Sequence, residues 1–317
     1  MTLGSILESV AGGLVVVLAF VGRPVAASTV ALADTRLSGI ACGRGQFVAV
    51  GPEGALLTSS NGLEWTRRST PTQAHLRSVT FGDGLFVAVG CNGTVLTSKD
   101  TASWTPQRTA TSNALRQVTH GRGQFIAVGD GGVILSSMEG SHWRRLDSVT
   151  TNSIRGVTYG SGLFVAVGAD GMIVTSPGGN KRWSARHSGT EACLRGVAYG
   201  NGTFVAVSPS RTVLTSADGL RWSRPARACD AYLYSVAFTG SAFVAVGSGG
   251  AVLRSQDGGR WQLLPSAGSS NLSGIAGTSD NLVAVGAAGV VRLVALDADA
   301  TTLSFAPLDQ SFTGGRK

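Results

Sequence analysis

Four arginines recur at nearly constant intervals and could together bind an anion. Each follows a leucine or isoleucine at the start of a similar segment, and successive members are 39, 39 and 40 residues apart. A guanidinium offers a planar set of donors that matches carboxylate, sulfate or phosphate. If the segments are equivalent parts of one repeat, the side chains lie at one level and form an anion site; alternatively, their stems pack between repeats and their charged ends extend into water. The four are Arg77, Arg116, Arg155 and Arg195.

A second group of candidate binding residues lies where the repeat pattern is broken. The segment "SPSR" ends at Arg211, and "ARACDAYLYS" contains Asp230, Tyr232 and Tyr234. Aromatic rings with polar tips beside arginine suit recognition of a sugar or a peptide. Simple loop drift explains the same departures, so the sequence leaves both interpretations open.

The residues that usually carry catalysis or bind metal show no recognisable pattern. The chain has four cysteines and four histidines, without zinc-site spacing, HExxH, a phosphate-binding glycine loop or a nucleophile elbow. Cys193 and Cys229 fall in equivalent loops of neighbouring repeats and form a possible disulfide, whereas Cys42 is expected to be a buried thiol. We expect no catalytic residue, no cofactor and no metal.

The elements that must position these arginines are repeats built around a short apolar segment. "GLFVAVG" and its variants place an aromatic residue or leucine at Phe47, Phe86, Phe125, Phe164, Phe204, Phe243 and Leu282, at intervals of 39, 39, 39, 40, 39 and 39. A period near 40 with strand-like content is typical of a β-propeller, in which each repeat forms one blade of four strands. The sequence therefore predicts an all-β, seven-bladed propeller with blades of about 39 residues.

Each repeat divides into four predicted strands. The inner strand is typified by "LRSVTFG", the second by "LFVAVG" and the third by "GTVLTS", and the fourth follows a tryptophan. The fourth strand of the last blade comes either from 28–35 or from 301–308, and the first is preferred. The loops that lead into the inner strands and those that join the second and third strands then share one face, the mouth of a central funnel.

Composition and the N-terminal segment suggest an exported protein. Charged residues make up 14% of the chain, 45 residues are glycine, and the net charge is +8, which favours anionic partners. The apolar run from Val10 to Val21, followed by Val25-Ala26-Ala27, predicts a signal peptide over 1–27, although no basic residue precedes it. We expect a propeller over 28–308, a loose tail over 309–317, a periplasmic or secreted location, no membrane span after processing and a monomer.

The turns before the tryptophans carry a family resemblance. "TSADGLRW", "RSQDGGRW" and "TSKDTASW" resemble the Asp-box, or bacterial neuraminidase repeat, with a spacing one residue shorter. Over roughly 37–296 the chain is similar to photosystem II stability and assembly factor-like propellers. The resemblance implies a non-enzymatic exported protein that holds a partner polypeptide with a basic patch, and it implies that Asp100, Asp218 and Asp257 are structural.

Three functions are compatible with these observations. The preferred one is a binding or assembly scaffold that holds an anionic or polypeptide partner at the funnel mouth, with an envelope protein or an acidic polysaccharide as partner and no nucleic acid. A lectin-like module for acidic glycans would use the same arginines. A sialidase-like glycoside hydrolase is the third, but the Arg-Ile-Pro segment of that family does not occur. The proposed binding residues are Arg77, Arg116, Arg155, Arg195, Arg211, Tyr232 and Tyr234.

Overall fold

A computed structural model describes residues 36–179, 182–225, 231–264, 269–278, 281–287 and 291–294. These residues form seven antiparallel sheets whose strands follow chain order from the inside to the outside of a ring. The predicted all-β propeller is confirmed.

The inner strands lie next to one another around a central channel, and the last of them contacts the first. Backbone hydrogen bonds also join neighbouring sheets: Leu37 N, just before β1, donates to Gly286 O at 3.0 Å and so links the first and last sheets. The inner strands are β1 (Gly39–Gly43), β5 (Leu76–Gly82), β9 (Leu115–Gly121), β13 (Ile154–Gly160), β17 (Gly196–Gly200), β20 (Leu233–Phe238) and β24 (Leu272–Gly277).

The second and third strands form the core, because neighbouring sheets pack against both of their faces. In β14 (Leu163–Gly168), for example, all six residues are buried, which explains the continuous apolar run. The second strands are β2 (Gln46–Val50), β6 (Leu85–Gly90), β10 (Gln124–Gly129), β14 (Leu163–Gly168), β18 (Thr203–Val207), β21 (Phe243–Gly247) and β25 (Leu282–Gly286). The third strands are β3 (Leu56–Ser59), β7 (Val95–Ser98), β11 (Ile134–Ser137), β15 (Ile173–Ser176), β19 (Val213–Ser216), β22 (Val252–Ser255) and β26 (Val291–Val294).

The outer strands are short, and the prediction of seven four-stranded blades is not confirmed. Five sheets have a fourth strand, and in the fifth sheet along the chain a single bridge between Thr215 and Ser223 takes its place. The described residues thus contain six complete blades and a seventh sheet of three strands. Both segments proposed to complete that sheet, 28–35 and 301–308, lie outside the described residues. The outer strands are β4 (Thr66–Arg67), β8 (Thr105–Gln107), β12 (Arg144–Arg145), β16 (Ser184–Arg186) and β23 (Gln262–Leu264).

The turns between third and outer strands hold their polar groups by local hydrogen bonds. Asp100 accepts from the backbone N–H groups of Ala102 and Ser103 at 2.9 and 2.8 Å, and Trp104 Nε1 donates to the carbonyl of Thr101 at 3.1 Å. Those backbone hydrogen bonds lower the pKa of Asp100. Asp218 and Asp257 form the same pattern, so these carboxylates stabilise turns at the end of the ring opposite the funnel mouth.

Neighbouring blades interlock through a glycine and an aromatic ring. The last glycine of an inner strand faces a ring of the next blade so closely that a Cβ would overlap it, as at Gly82 and His120. Between the sixth and seventh sheets, Thr239 and Gly277 occupy the two positions, and between the seventh and first they are Thr278 and Cys42. The glycine–aromatic pairs are Gly43–Phe81, Gly82–His120, Gly121–Tyr159, Gly160–Tyr199 and Gly200–Phe238.

Candidate functional site

Three of the four recurring arginines sit in β-bulges at the start of the inner strands, and the fourth, Arg195, directly precedes β17. In the second blade Leu76 pairs with Gly90 and Ser78 pairs with Val89, so Arg77 has no partner in the ladder. The same shift leaves out Arg116 and Arg155 in the next two blades. A bulge turns its extra residue away from the regular alternation of the strand, which is how the side chain comes to face the channel.

All four arginines line the upper end of a central channel of about 520 Å³. The other blades contribute Ser38, Tyr234 and Ser273 at the equivalent position, and Tyr234 and Ser273 also lie in bulges. We call these seven residues the rim. The structure thus brings together five of the predicted binding residues, namely the four arginines and Tyr234.

One rim arginine has its own acid. Arg116 Nε donates to Asp130 Oδ1 at 2.8 Å and Arg116 Nη2 to Asp130 Oδ2 at 2.6 Å, a bidentate ion pair. Asp130 lies in the short 3₁₀ turn between β10 and β11, above Arg116. The hydrogen bond to Arg116 is the main cause of a lowered pKa at Asp130 and of a raised pKa at Arg116. The sequence places Asp130 on the mouth face but does not reveal this pairing.

The other three rim arginines form no ion pair with any described residue. The positions equivalent to Asp130 are Cys91 in the second blade and Ala169 in the fourth, so neither blade supplies a carboxylate there. The Nε–H groups of Arg77 and Arg155 are buried and donate to no acceptor among the described residues. The rim is therefore an electropositive arc with one neutralised member.

Two arginine–tyrosine pairs mark the fifth and sixth blades. The guanidinium of Arg195 lies over the ring of Tyr234 at 4.7 Å, and that of Arg211 lies over Tyr232 at 4.8 Å. Partial desolvation, and to a smaller extent Arg155 and Arg116, lowers the pKa of Arg195 although its side chain reaches solvent in the channel. Arg211 and Tyr232 are exposed and do not line the channel in the part that the structure describes.

The ring and its rim can be compared with solved structures. The fold is that of known β-propellers. Two similar structures are described as "YCF48 bound to D1 peptide" (TM-score 0.67, 20% identity, 84% of this chain and 94% of that one) and as YCF48 from Cyanidioschyzon merolae (0.66, 18%, 82% and 95%). A third is the WD40 β-propeller domain of Doa1 (0.68, 14%, 84% and 95%). No known protein-family profile and no curated protein matches the chain.

A serine–histidine contact at the rim was not anticipated from the sequence. Ser38 Oγ and His75 Nε2 lie 2.7 Å apart, and Ser38 occupies in the first blade the position of the arginines. Burial, followed by the positive charges of Arg77, Arg116 and Arg36, lowers the pKa of His75. A neutral imidazole therefore hydrogen-bonds this part of the rim at neutral pH. The signal available was that His75 directly precedes the repeat's leucine.

The remaining predicted residues are less informative. Cys42 is exposed at the lower end of the channel rather than buried, at the position where five of the other blades place an aromatic ring. Cys229 and Asp230 lie outside the described residues, so the proposed bond from Cys193 stays a prediction. Among the described residues no cluster of three potential ligands could hold a metal ion, and no helix is long and apolar enough to span a membrane.

Proposed function

We propose that this protein is a non-enzymatic scaffold that binds carboxylate groups of a polypeptide partner at the rim. The observation that supports this most strongly is the convergence of four arginines at one end of the channel, three of them without an acid among the described residues. Charged donors that lack internal partners are available to carboxylates of another molecule. A solved propeller of similar fold is described as bound to a D1 peptide, so this architecture can bind a polypeptide.

A non-enzymatic role agrees with the state of the carboxylate at the rim. Asp130 is held ionised by Arg116, and its lowered pKa makes it a poor general acid. The mouth-face carboxylates of Glu53, Asp170 and Glu191 belong to exposed residues, and Asp170 accepts a hydrogen bond from Asn152 at 3.1 Å. Neither arrangement resembles a pair of catalytic carboxylates in which one acts as general acid and the other as base or nucleophile.

The proposal also covers how the ring is closed and where in the cell the protein acts. We infer that segment 28–35 completes the seventh sheet, which has three described strands, and so closes a ring of seven blades. The turns with Asp100, Asp218 and Asp257 serve as shortened Asp-boxes in this proposal. Export through a signal peptide at 1–27 would place the rim in the cell envelope, where an envelope protein is the expected partner.

Binding of a fluorescent glutamate-rich peptide, followed by anisotropy at low and physiological salt, tests this function. We expect Arg77→Glu with Arg155→Glu to weaken binding by more than about tenfold, since a hydrogen bond between charged groups contributes about 1.5–3 kcal/mol. The control reverses two exposed arginines of β12, Arg144 and Arg145, with the same change in net charge. Equal losses in both variants, or no binding by the unchanged protein, would refute the proposal.

A further inference from the structure

Below the rim, the wall of the channel has two chemically different sides. At one equivalent channel-lining position, the seven inner strands carry threonine in the second to fourth blades and alanine in the other four. The threonines are Thr80, Thr119 and Thr158, and the alanines are Ala41, Ala198, Ala237 and Ala276. The channel therefore has a hydroxyl side and an apolar side.

The hydroxyl side lies directly below three of the rim arginines. Thr80, Thr119 and Thr158 belong to the same strands as Arg77, Arg116 and Arg155, three residues further along. The threonine side chains are partly exposed, and their hydroxyls form no hydrogen bond with another described residue. Each hydroxyl can both donate and accept, so this side offers cationic donors above and uncommitted hydroxyls below.

The apolar side carries aromatic rings at both ends. Tyr234 stands at the rim with its ring held by Arg195, and Tyr199 and Phe238 line the lower end of the same side. Tyr199 and Phe238 are fixed in turn by the buried rings of Phe204 and Phe243, at centroid distances of 4.5 and 5.0 Å. Such a wall suits a molecule with one face of C–H groups.

We propose that the channel binds a small hydroxylated carboxylate of the sugar-acid class. Its carboxylate binds Arg77 and Arg155, its hydroxyl groups hydrogen-bond with the threonines, and its C–H face lies against the alanines and Tyr234. The cavity of about 520 Å³ is within the usual range for small-molecule sites. The inference rests on the proposed function only because the same guanidiniums bind carboxylate in both.

Calorimetric titration with galacturonate tests the inference, with acetate and galactose as ligands that carry only part of its chemistry. We expect galacturonate to bind at least tenfold more tightly than acetate, and galactose to show no measurable binding. A trimer of galacturonate that binds as tightly as the monomer would assign the site to the end of an acidic glycan. Binding of the monomer alone would assign it to a free sugar acid.

Variants separate this site from peptide docking. Thr119→Val and Thr158→Val keep the side-chain shape and remove the hydroxyl, so galacturonate affinity should fall several-fold while acetate and the glutamate-rich peptide are unaffected. Thr66→Val on the exposed outer strand β4 is the matched control. The inference would be overturned, even if the peptide binds, by galacturonate that binds no better than acetate. It would also be overturned if the threonine variants weaken galacturonate and acetate binding equally. Galacturonate binding without peptide binding would uphold it and reject the docking proposal.

Discussion

Replacement of Asp130 by asparagine should strengthen anion binding at the rim. The substitution removes one negative charge and releases Arg116 from a bidentate ion pair with contacts of 2.6 and 2.8 Å. For a ligand carboxylate about 6 Å away and an effective dielectric constant of about 40, the charge change contributes about 1.4 kcal/mol, or roughly tenfold in affinity. Screening at physiological salt, with a Debye length of about 8 Å, reduces the gain to roughly threefold.

Anisotropy titrations of the glutamate-rich peptide at low and physiological salt measure this gain. Asp83→Asn is the control, because it makes the same charge change just beyond the opposite end of the inner strand β5, about 20 Å along the strand from the rim residue Arg77. Asp83 is also paired with a basic side chain, His120, at 3.0 Å. Unchanged or weaker binding by the Asp130 variant at both salt concentrations, with an unchanged fold, would show that the rim does not act as one electrostatic unit.

Three further outcomes concern stability. Because the pKa of Asp130 is lowered in the folded state, its ion pair stabilises the fold above the unfolded-state pKa of about 3.9, and this stabilisation is lost as the pH falls through the folded-state pKa. Urea titrations should therefore show that the stability difference between the native protein and Asp130→Asn shrinks below about pH 4. Phe164→Ala empties a fully buried site and should cost about 3–5 kcal/mol in denaturant unfolding, whereas Met138→Ala, at an exposed residue, should be nearly neutral; equal effects would contradict the core assignment. Asp218→Ala leaves the N–H groups of Leu220 and Arg221 without their acceptor and should lower the melting temperature but not peptide affinity; a loss of affinity would mean that this turn is not purely structural.

The fold was predictable because its signal is repeated. The regular spacing of the "FVAVG" segments requires equivalent strands, and the loss of hydrophobic alternation in strands such as β14 follows from burial on both faces. Completion of the seventh sheet was not predictable in the same way. Neither candidate for a fourth strand carries a copy of the repeat motif, so periodicity could not distinguish 28–35 from 301–308.

The site was predictable in position but not in its partners. Equivalent repeat positions placed Arg77, Arg116, Arg155 and Arg195 around one opening, as observed. The bulges at Arg77, Arg116 and Arg155 depend on a register shift, which side-chain type does not encode. The pairing of Arg116 depends on a single departure in another loop, where Asp130 replaces the residues found in the neighbouring blades.

The five glycine–aromatic contacts between blades have a consequence for where the protein unfolds locally. Each one holds two adjacent blades in register, and the two junctions around the seventh sheet have none. Segments with fewer packed contacts open at lower free energy than the rest of a protein. Among the inner and second strands, amide exchange should therefore be fastest in β24 and β25. Local unfolding there would open the ring beside Ser273 and Ser38, away from the arginine-bearing blades.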